Sequence, residues 1–499
     1  MRQFMHSFVG YTPPPDVLRG VESGQIAAFC LFRDKNVLSP SQLRDLSGSL
    51  YRAAKKGGHP SPLIAIDQEG GQLVAITGGA TELPGNMALG ATRSSDLAFE
   101  AGRLLGRELL AMGITMNLAP CLDVNVNPAN PVIGIRSFGD DPELVGTLGA
   151  AFVRGQQSVG VLAVAKHFPG HGDTATDPHH DAAIIQHNLE RVRRVEFPPF
   201  VAAIEAGVAG IMTAHLHLTN LDPDLPATLS PRILQGVLRG ELGFGGLIVT
   251  DAMDMGAVAR YGTDYSIQQA LYAGADVILL GHLEHQIALA ERMGHLANPE
   301  SLRRIADAQA HLPTTIPPLE VIGSPEHLHT ARQIAERSIT VVRGLAMPIN
   351  PAPDETLVVI TPRPVNLTPA DTSASVEITL GQAIRRRHPR TLNYELATDG
   401  SNLADILAAA AVGDTVIVGT LAAENDPFQA ELVRALHVAG KNPLVIAMRT
   451  PYDLAAFPMI ETYLCCYGIR AVTLEAVARV IFGEIKPVGI LPCAIPLMM

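Results

Sequence analysis

VLAVAKH, residues 161–167, sets five apolar residues in a row and closes them with a lysine and a histidine. An apolar run this short, with no alternating polar residue, predicts a strand buried on both faces, as in a parallel sheet. Runs of the same kind recur on either side: IAAFCLF (26–32), LIAID (63–67), ITMNLAP (114–120), AGIMTAH (209–215), GLIVTDA (246–252) and ADVILLGH (275–282). With the N-terminal RQFMHSFVG (2–10) they make eight. Between them lie helical patterns such as LAFEAGRLLGRELLAMG (97–113) and PPFVAAIEAGVAG (198–210), each stopping at glycine. Eight strand–helix units in succession predict an α/β fold, a (β/α)8 TIM-type barrel.

The polar residues of these runs fall at one end. Asp67 follows LIAI, Lys166 and His167 follow VLAVA, His215 follows IMTA, and Asp251 follows LIVT. In a parallel barrel those ends share one face, the face on which such barrels place their chemistry.

Beyond the barrel, LPTTIPPLEVIG (312–323) is a proline-rich linker, and SPEHLHTARQIAERSITVVRG (324–344) opens with a capping serine and a helical pattern. LVVITP (357–362), TVIVGT (415–420) and PLVIAMRTP (443–451) then predict a second α/β domain. The expected division is a catalytic barrel over 1–311, a linker and helix over 312–345, and a smaller α/β sandwich domain over 346–499. No full Gly-x-Gly-x-x-Gly fingerprint supports a nucleotide site in it.

Composition narrows the function classes. A net charge of −12 over 499 residues, with no basic stripe, argues against binding a phosphate backbone, so no nucleic-acid partner is expected. No window is long and apolar enough for a membrane span, and the start MRQFMHSFVGYTPPP lacks a signal-peptide pattern. The five cysteines (30, 121, 465, 466 and 493) cannot all pair, and none has zinc-site spacing. Together these favour a reducing, cytoplasmic setting. Absent tryptophan and sparse aromatics weigh against an open groove for a long polysaccharide, while a pocket for one or two sugar units remains open.

The segment KHFPGHGDTATDPHH (166–180) crowds four histidines and two aspartates between glycines and prolines. His171, Asp173, Asp177, His179 and His180 could in principle ligate a metal, but helical His-x-x-x-His spacing is missing. Acid–base work is the alternative: a histidine exchanges protons near neutrality, and Asp177 lies two residues before His179, close enough to orient it.

KHFPGHGDT followed by Asp-x-His resembles glycoside hydrolase family 3, in its β-N-acetylglucosaminidase branch of peptidoglycan-recycling type. The resemblance extends through IDQEGG, VIGIRSFGDDP, EFPPFVAAIEAG, MTAHL, ATLSPRIL and LRGELGFGGLIVTDAMDM, and into the second domain through RTPYDL and GILPCAIP. It implies Asp251 as nucleophile, His179 as general acid/base and Asp177 as its partner. It further implies Asp67, Arg136, Lys166 and His167 as sugar-binding residues, with no metal and no cofactor. Asp254 is a nearby competing carboxylate, and Asp123 is a candidate support for the site. Three positions, in two segments, depart from the family pattern. Gln72 and Ala75 stand where arginines are usual, and Pro178 stands where serine is usual. The implied activity is a retaining exo-β-N-acetylglucosaminidase acting on a small β-GlcNAc glycoside from cell-wall fragments or chitooligosaccharides. A phosphorylase or transferase of the same family, and a non-catalytic amino-sugar-binding barrel, are the alternatives. The oligomeric state is not legible.

Overall fold

A computed structural model describes residues 1–174, 183–344 and 347–496; Asp177, Pro178, His179 and His180 lie outside the described residues. All eight expected runs form strands: β1 (Phe4–His6), β2 (Ala28–Leu31), β3 (Leu63–Ile66), β4 (Met116–Asn117), β5 (Leu162–Phe168), β6 (Gly210–Thr213), β7 (Leu247–Val249) and β8 (Ile278–Leu279). They hydrogen-bond in the order β7-β6-β5-β4-β3-β2-β1-β8, every pair parallel. A single parallel bridge between Val249 and Val277 brings β7 to β8 and all but closes the ring.

Inside the ring the side chains follow the two-residue period of strands. Met5, Cys30, Ala65, Met116, Val164, Met212, Val249 and Leu279, one from each strand, form a buried inner cluster. The other faces pack outward on helices. Helix Ser95–Ala111 is capped by Ser94, whose Oγ accepts the Leu97 N–H, and helix Pro142–Gln157 is capped by Asp141. These two helices pack at close range because of a glycine: a Cβ on Gly155 would stand 1.9 Å from the Phe99 carbonyl oxygen.

The second sheet has six strands among the described residues: β9 (Thr340–Gly344), β10 (Leu357–Pro362), β11 (Thr391–Leu396), β12 (Thr415–Thr420), β13 (Leu444–Ala447) and β14 (Thr462–Cys465). Their order is β9-β14-β13-β12-β10-β11, with only β9 antiparallel. The helix expected from Ser324 onward does start there, with the Ser324 Oγ accepting the His327 N–H, but it ends at Ser338. The β-branched run Ile339-Thr340-Val341-Val342 then leaves the helix and supplies β9.

The two units meet around the loops that follow β3 and β4. The Asn125 Nδ2 donates to Tyr452 Oη at 2.9 Å, and the Ala494 N–H donates to Asp140 at 2.7 Å. Arg470, 2% exposed, donates to the Gly71 carbonyl at 2.9 Å and pairs with Glu82 at 3.1 Å. The antiparallel ribbon of Gln68–Gly70 and Leu73–Val74, directly after β3, is thereby held by the second domain.

Candidate active site

Asp67, Lys166 and Asp251 each lie two residues beyond an inward-facing member of the inner cluster, namely Ala65, Val164 and Val249. The strand period therefore carries all three side chains onto the inner face at the barrel mouth. The Cys30 thiol one layer below reports this convergence. Burial raises its pKa well above the usual thiol range, and the carboxyls of Asp67 and Asp251 push the same way while Lys166 opposes them.

Lys166 is buried, and its Nζ lies 2.5 Å from Asp67 Oδ1 and 2.8 Å from Glu69 Oε1. Glu69 also takes the Arg136 guanidinium side-on, at 2.8 Å to Nη2 and 3.0 Å to Nε. Burial alone would raise the Glu69 carboxyl, but Arg136 and Lys166 outweigh it and hold the group at about 2. Lys166 is pushed the other way: burial disfavours the ammonium, and Asp67 and Glu69 more than offset it, raising its pKa. Asp67 is the open member of the chain, its side chain 28% exposed against 2% for Glu69. One of its oxygens bonds the lysine while the carboxylate still reaches the mouth.

His167 stands beside this chain. Its Nδ1 lies 2.7 Å from Asp123 Oδ2, and its Nε2 lies 3.4 Å from Arg136 Nη2. Asp123 Oδ1 also accepts the backbone N–H groups of His167 at 3.2 Å and His171 at 2.6 Å. Burial opposes the Asp123 charge, but His167 and His171 hold its pKa below the carboxylate range. The glycine of the following turn is sterically required: a Cβ on Gly172 would stand 1.7 Å from the Val124 carbonyl oxygen.

Asp251 is half-buried, and its Oδ1 accepts the N–H of Ala252 at 2.8 Å. The Ala252 carbonyl in turn accepts from His215 Nε2 at 3.0 Å, while His215 Nδ1 lies 2.8 Å from Thr228 Oγ1. His215 thus braces the turn that carries Asp251. The competing Asp254 accepts the His282 N–H at 2.8 Å and so ties down the loop after β8.

Cys121, Asp123 and His167 present three ligand atoms within 4.8 Å of one another. Those atoms already bond one another: Cys121 Sγ lies 3.1 Å from Asp123 Oδ2, and burial raises the thiol far above its usual range, so it stays protonated. With the Arg136 guanidinium against the same histidine, the donor set fits a hydrogen-bonded network better than a divalent cation. Among the earlier metal candidates, His171 Nδ1 meets Thr174 Oγ1 at 2.9 Å, whereas Asp173 meets His187 at 2.6 Å and Arg191 at 3.3 Å. These two residues point to different partners.

Residues 13–313 match the family model described as the N-terminal domain of glycosyl hydrolase family 3. A protein named β-hexosaminidase A from Pseudoalteromonas piscicida is 30% identical over 97% of this chain and 92% of its own length. The chain belongs to glycosyl hydrolase family 3. A β-hexosaminidase of Stenotrophomonas maltophilia strain R551-3 is 37% identical over 56% of this chain and 82% of that protein. Among solved structures, a family 3 β-N-acetylglucosaminidase from Paenibacillus sp. str. FPU-7 superposes with a TM-score of 0.92 at 34% identity, covering 100% of this chain and 98% of that one. A β-glucoside phosphorylase at 22% identity and a TM-score of 0.81 shares the fold.

In this family 3 chain, positions 72 and 75, two of those departing from the family pattern, lie at defined places in the structure. Gln72 is buried in the seam, where its side-chain Nε2 donates to the Ala370 carbonyl at 3.4 Å and its backbone carbonyl accepts from Thr372 Oγ1 at 2.7 Å. Ala75 packs into the cluster containing Phe29 and Ile64. Position 72 thus joins the domains together, and position 75 fills core. Glu69 was absent from the expected site, although its signal was available: it stands two residues after Asp67 and therefore shares its side of the chain.

Proposed function

We propose that this chain is a retaining, exo-acting β-N-acetylglucosaminidase that hydrolyses a terminal β-linked GlcNAc from cell-wall fragments or chitooligosaccharides. What supports the reading is that Asp251, Asp67 and Lys166 each follow by two residues a member of one inner cluster, Val249, Ala65 and Val164, while Arg136 lies against His167. Asp67, Lys166, Arg136 and His167 are the groups that hold the hydroxyls of the terminal sugar. Asp251 attacks the anomeric carbon and the bond to the leaving oxygen breaks, giving a covalent glycosyl-enzyme. His179, partnered by Asp177, protonates that oxygen, then removes a proton from the water that cleaves the ester, and both groups return to their starting state. Asp67, Glu69, Asp123 and Asp251 set four carboxyl groups against the two cations Lys166 and Arg136. A surplus of negative groups favours the positive charge that develops on the sugar ring in the transition state.

The experiment is hydrolysis of an aryl β-GlcNAc glycoside with and without inorganic phosphate, followed by NMR of the sugar released. Free GlcNAc appearing first as the β-anomer in both conditions is the expected product. GlcNAc 1-phosphate as the main product in phosphate would replace hydrolysis with phosphorolysis, and tight GlcNAc binding without aglycone release would reduce the chain to a binding protein.

A further inference from the structure

We propose that Asp123 is a positioning residue that locks His167 as its Nδ1–H tautomer, leaving the Nε2 lone pair to accept a hydrogen bond from one hydroxyl of the bound sugar. The inference rests on the reading of this mouth as a sugar site. Arg136 Nη2 already donates to Glu69 Oε1 at 2.8 Å and stands at the longer distance of 3.4 Å from His167 Nε2; as a cation that can only donate it opposes a proton there, and a sugar hydroxyl arriving at hydrogen-bond distance takes over this weakly held lone pair. The ring proton therefore belongs on Nδ1, where Asp123 Oδ2 waits at 2.7 Å. Asp123 is fully buried, and its other oxygen is committed to the N–H groups of His167 and His171. The aspartate cannot turn away without abandoning both. The His167 side chain retains 7% exposure, and its Nε2 edge is the one not committed to Asp123. A substrate hydroxyl meeting that edge must then donate, and a group that can only accept is rejected.

Asp123→Asn tests the tautomer without changing shape. The amide oxygen keeps the two backbone N–H groups, because the flipped amide would face them with its own donors. The Nδ2 donors then face His167 Nδ1, which can answer only as an acceptor, so the ring proton moves to Nε2 and opposes Arg136. Long-range ¹H–¹⁵N spectra of histidine-labelled full-length protein, with His167 assigned by difference against His167→Gln, read the tautomer before any substrate is added. The expected result is Nδ1–H in the wild-type protein and Nε2–H in Asp123→Asn. Across a panel of aryl β-GlcNAc glycosides monofluorinated at positions 3, 4 or 6, one position should lose on the order of a hundredfold in kcat/KM in the wild type, because fluorine cannot donate. The variant should show a much smaller penalty at that position.

Wild-type His167 carrying its proton on Nε2, or protons on both nitrogens at neutral pH, overturns the proposal even if Asp123→Asn fails to fold. One equivalent of zinc bound through Cys121, Asp123 and His167 overturns it as well. If the wild-type protein turns over no β-GlcNAc glycoside at all, the hydrolase reading fails while the spectra still decide the tautomer.

Discussion

Replacing Glu69 by glutamine removes one negative charge and almost no volume, yet it leaves Lys166 and Arg136 as two buried cations with Asp67 as their nearest compensation. Holding the Glu69 carboxyl at about 2 instead of the usual 4.5 corresponds to about 3 kcal/mol of folded-state preference for the carboxylate. Removing one partner of a buried ion pair independently costs about 3–5 kcal/mol. The two figures agree, so Glu69→Gln should lose about 3 kcal/mol of unfolding free energy at pH 7. Because the chain lacks tryptophan, far-UV circular dichroism through a urea titration is the suitable probe. The pH dependence has a definite sign. A carboxyl whose folded pKa is depressed contributes its full stabilisation above its unfolded value and loses it as pH falls through its folded value. The gap between wild type and variant should therefore hold steady from pH 7 to 5 and narrow below 4.5 toward 2. A loss under about 1 kcal/mol, or a gap that stays constant on acidification, would refute the reasoning.

Further outcomes follow from the same geometry. Asp251→Ala should abolish turnover while leaving the circular dichroism and thermal melt unchanged; near-normal rates would remove the nucleophile assignment. His179→Ala should slow glycosides with poor leaving groups far more than those with good ones, and equal loss across a leaving-group series would count against its acid role. Tyr452→Phe deprives the Asn125 amide of its partner across the seam and should cost about 1 kcal/mol in chemical denaturation; no change would show that the bond adds nothing to docking. A chelator should leave the hydrolysis rate unchanged, and loss restored by a divalent cation would point to a metal-dependent enzyme.

The barrel was legible because strands buried on both faces read as largely apolar runs; the first, FMH within RQFMHSFVG, carries that signature least and is recognised as the member completing a series of eight. The edge strand β11 lacks it: TLNYEL has its middle residues turned to solvent or only half covered, so its polar positions hide it among loops. β9 was hidden for a different reason, since TVVRG directly continues a helical pattern and only the β-branched run marks the change. For the candidate site, the strand-end rule put forward Asp67, Lys166, His167 and Asp251, and the family resemblance added Arg136. The rule did not reveal that Asp123 and Glu69 hold His167, Arg136 and Lys166, because those partners come from separate strands and loops and meet only when the ring closes. Nor did it reveal that Gln72 faces the second domain, a contact between segments about 300 residues apart.

The most direct measurement is to incubate the protein with a 5-fluoro-N-acetylglucosaminyl fluoride, which should slow release of the glycosyl-enzyme more than its formation, then digest it and sequence the labelled peptide by mass spectrometry. A single sugar esterified to Asp251 is the expected result. A label on Asp254 or another side chain, or inactivation with no covalent sugar, would contradict double displacement at this barrel mouth.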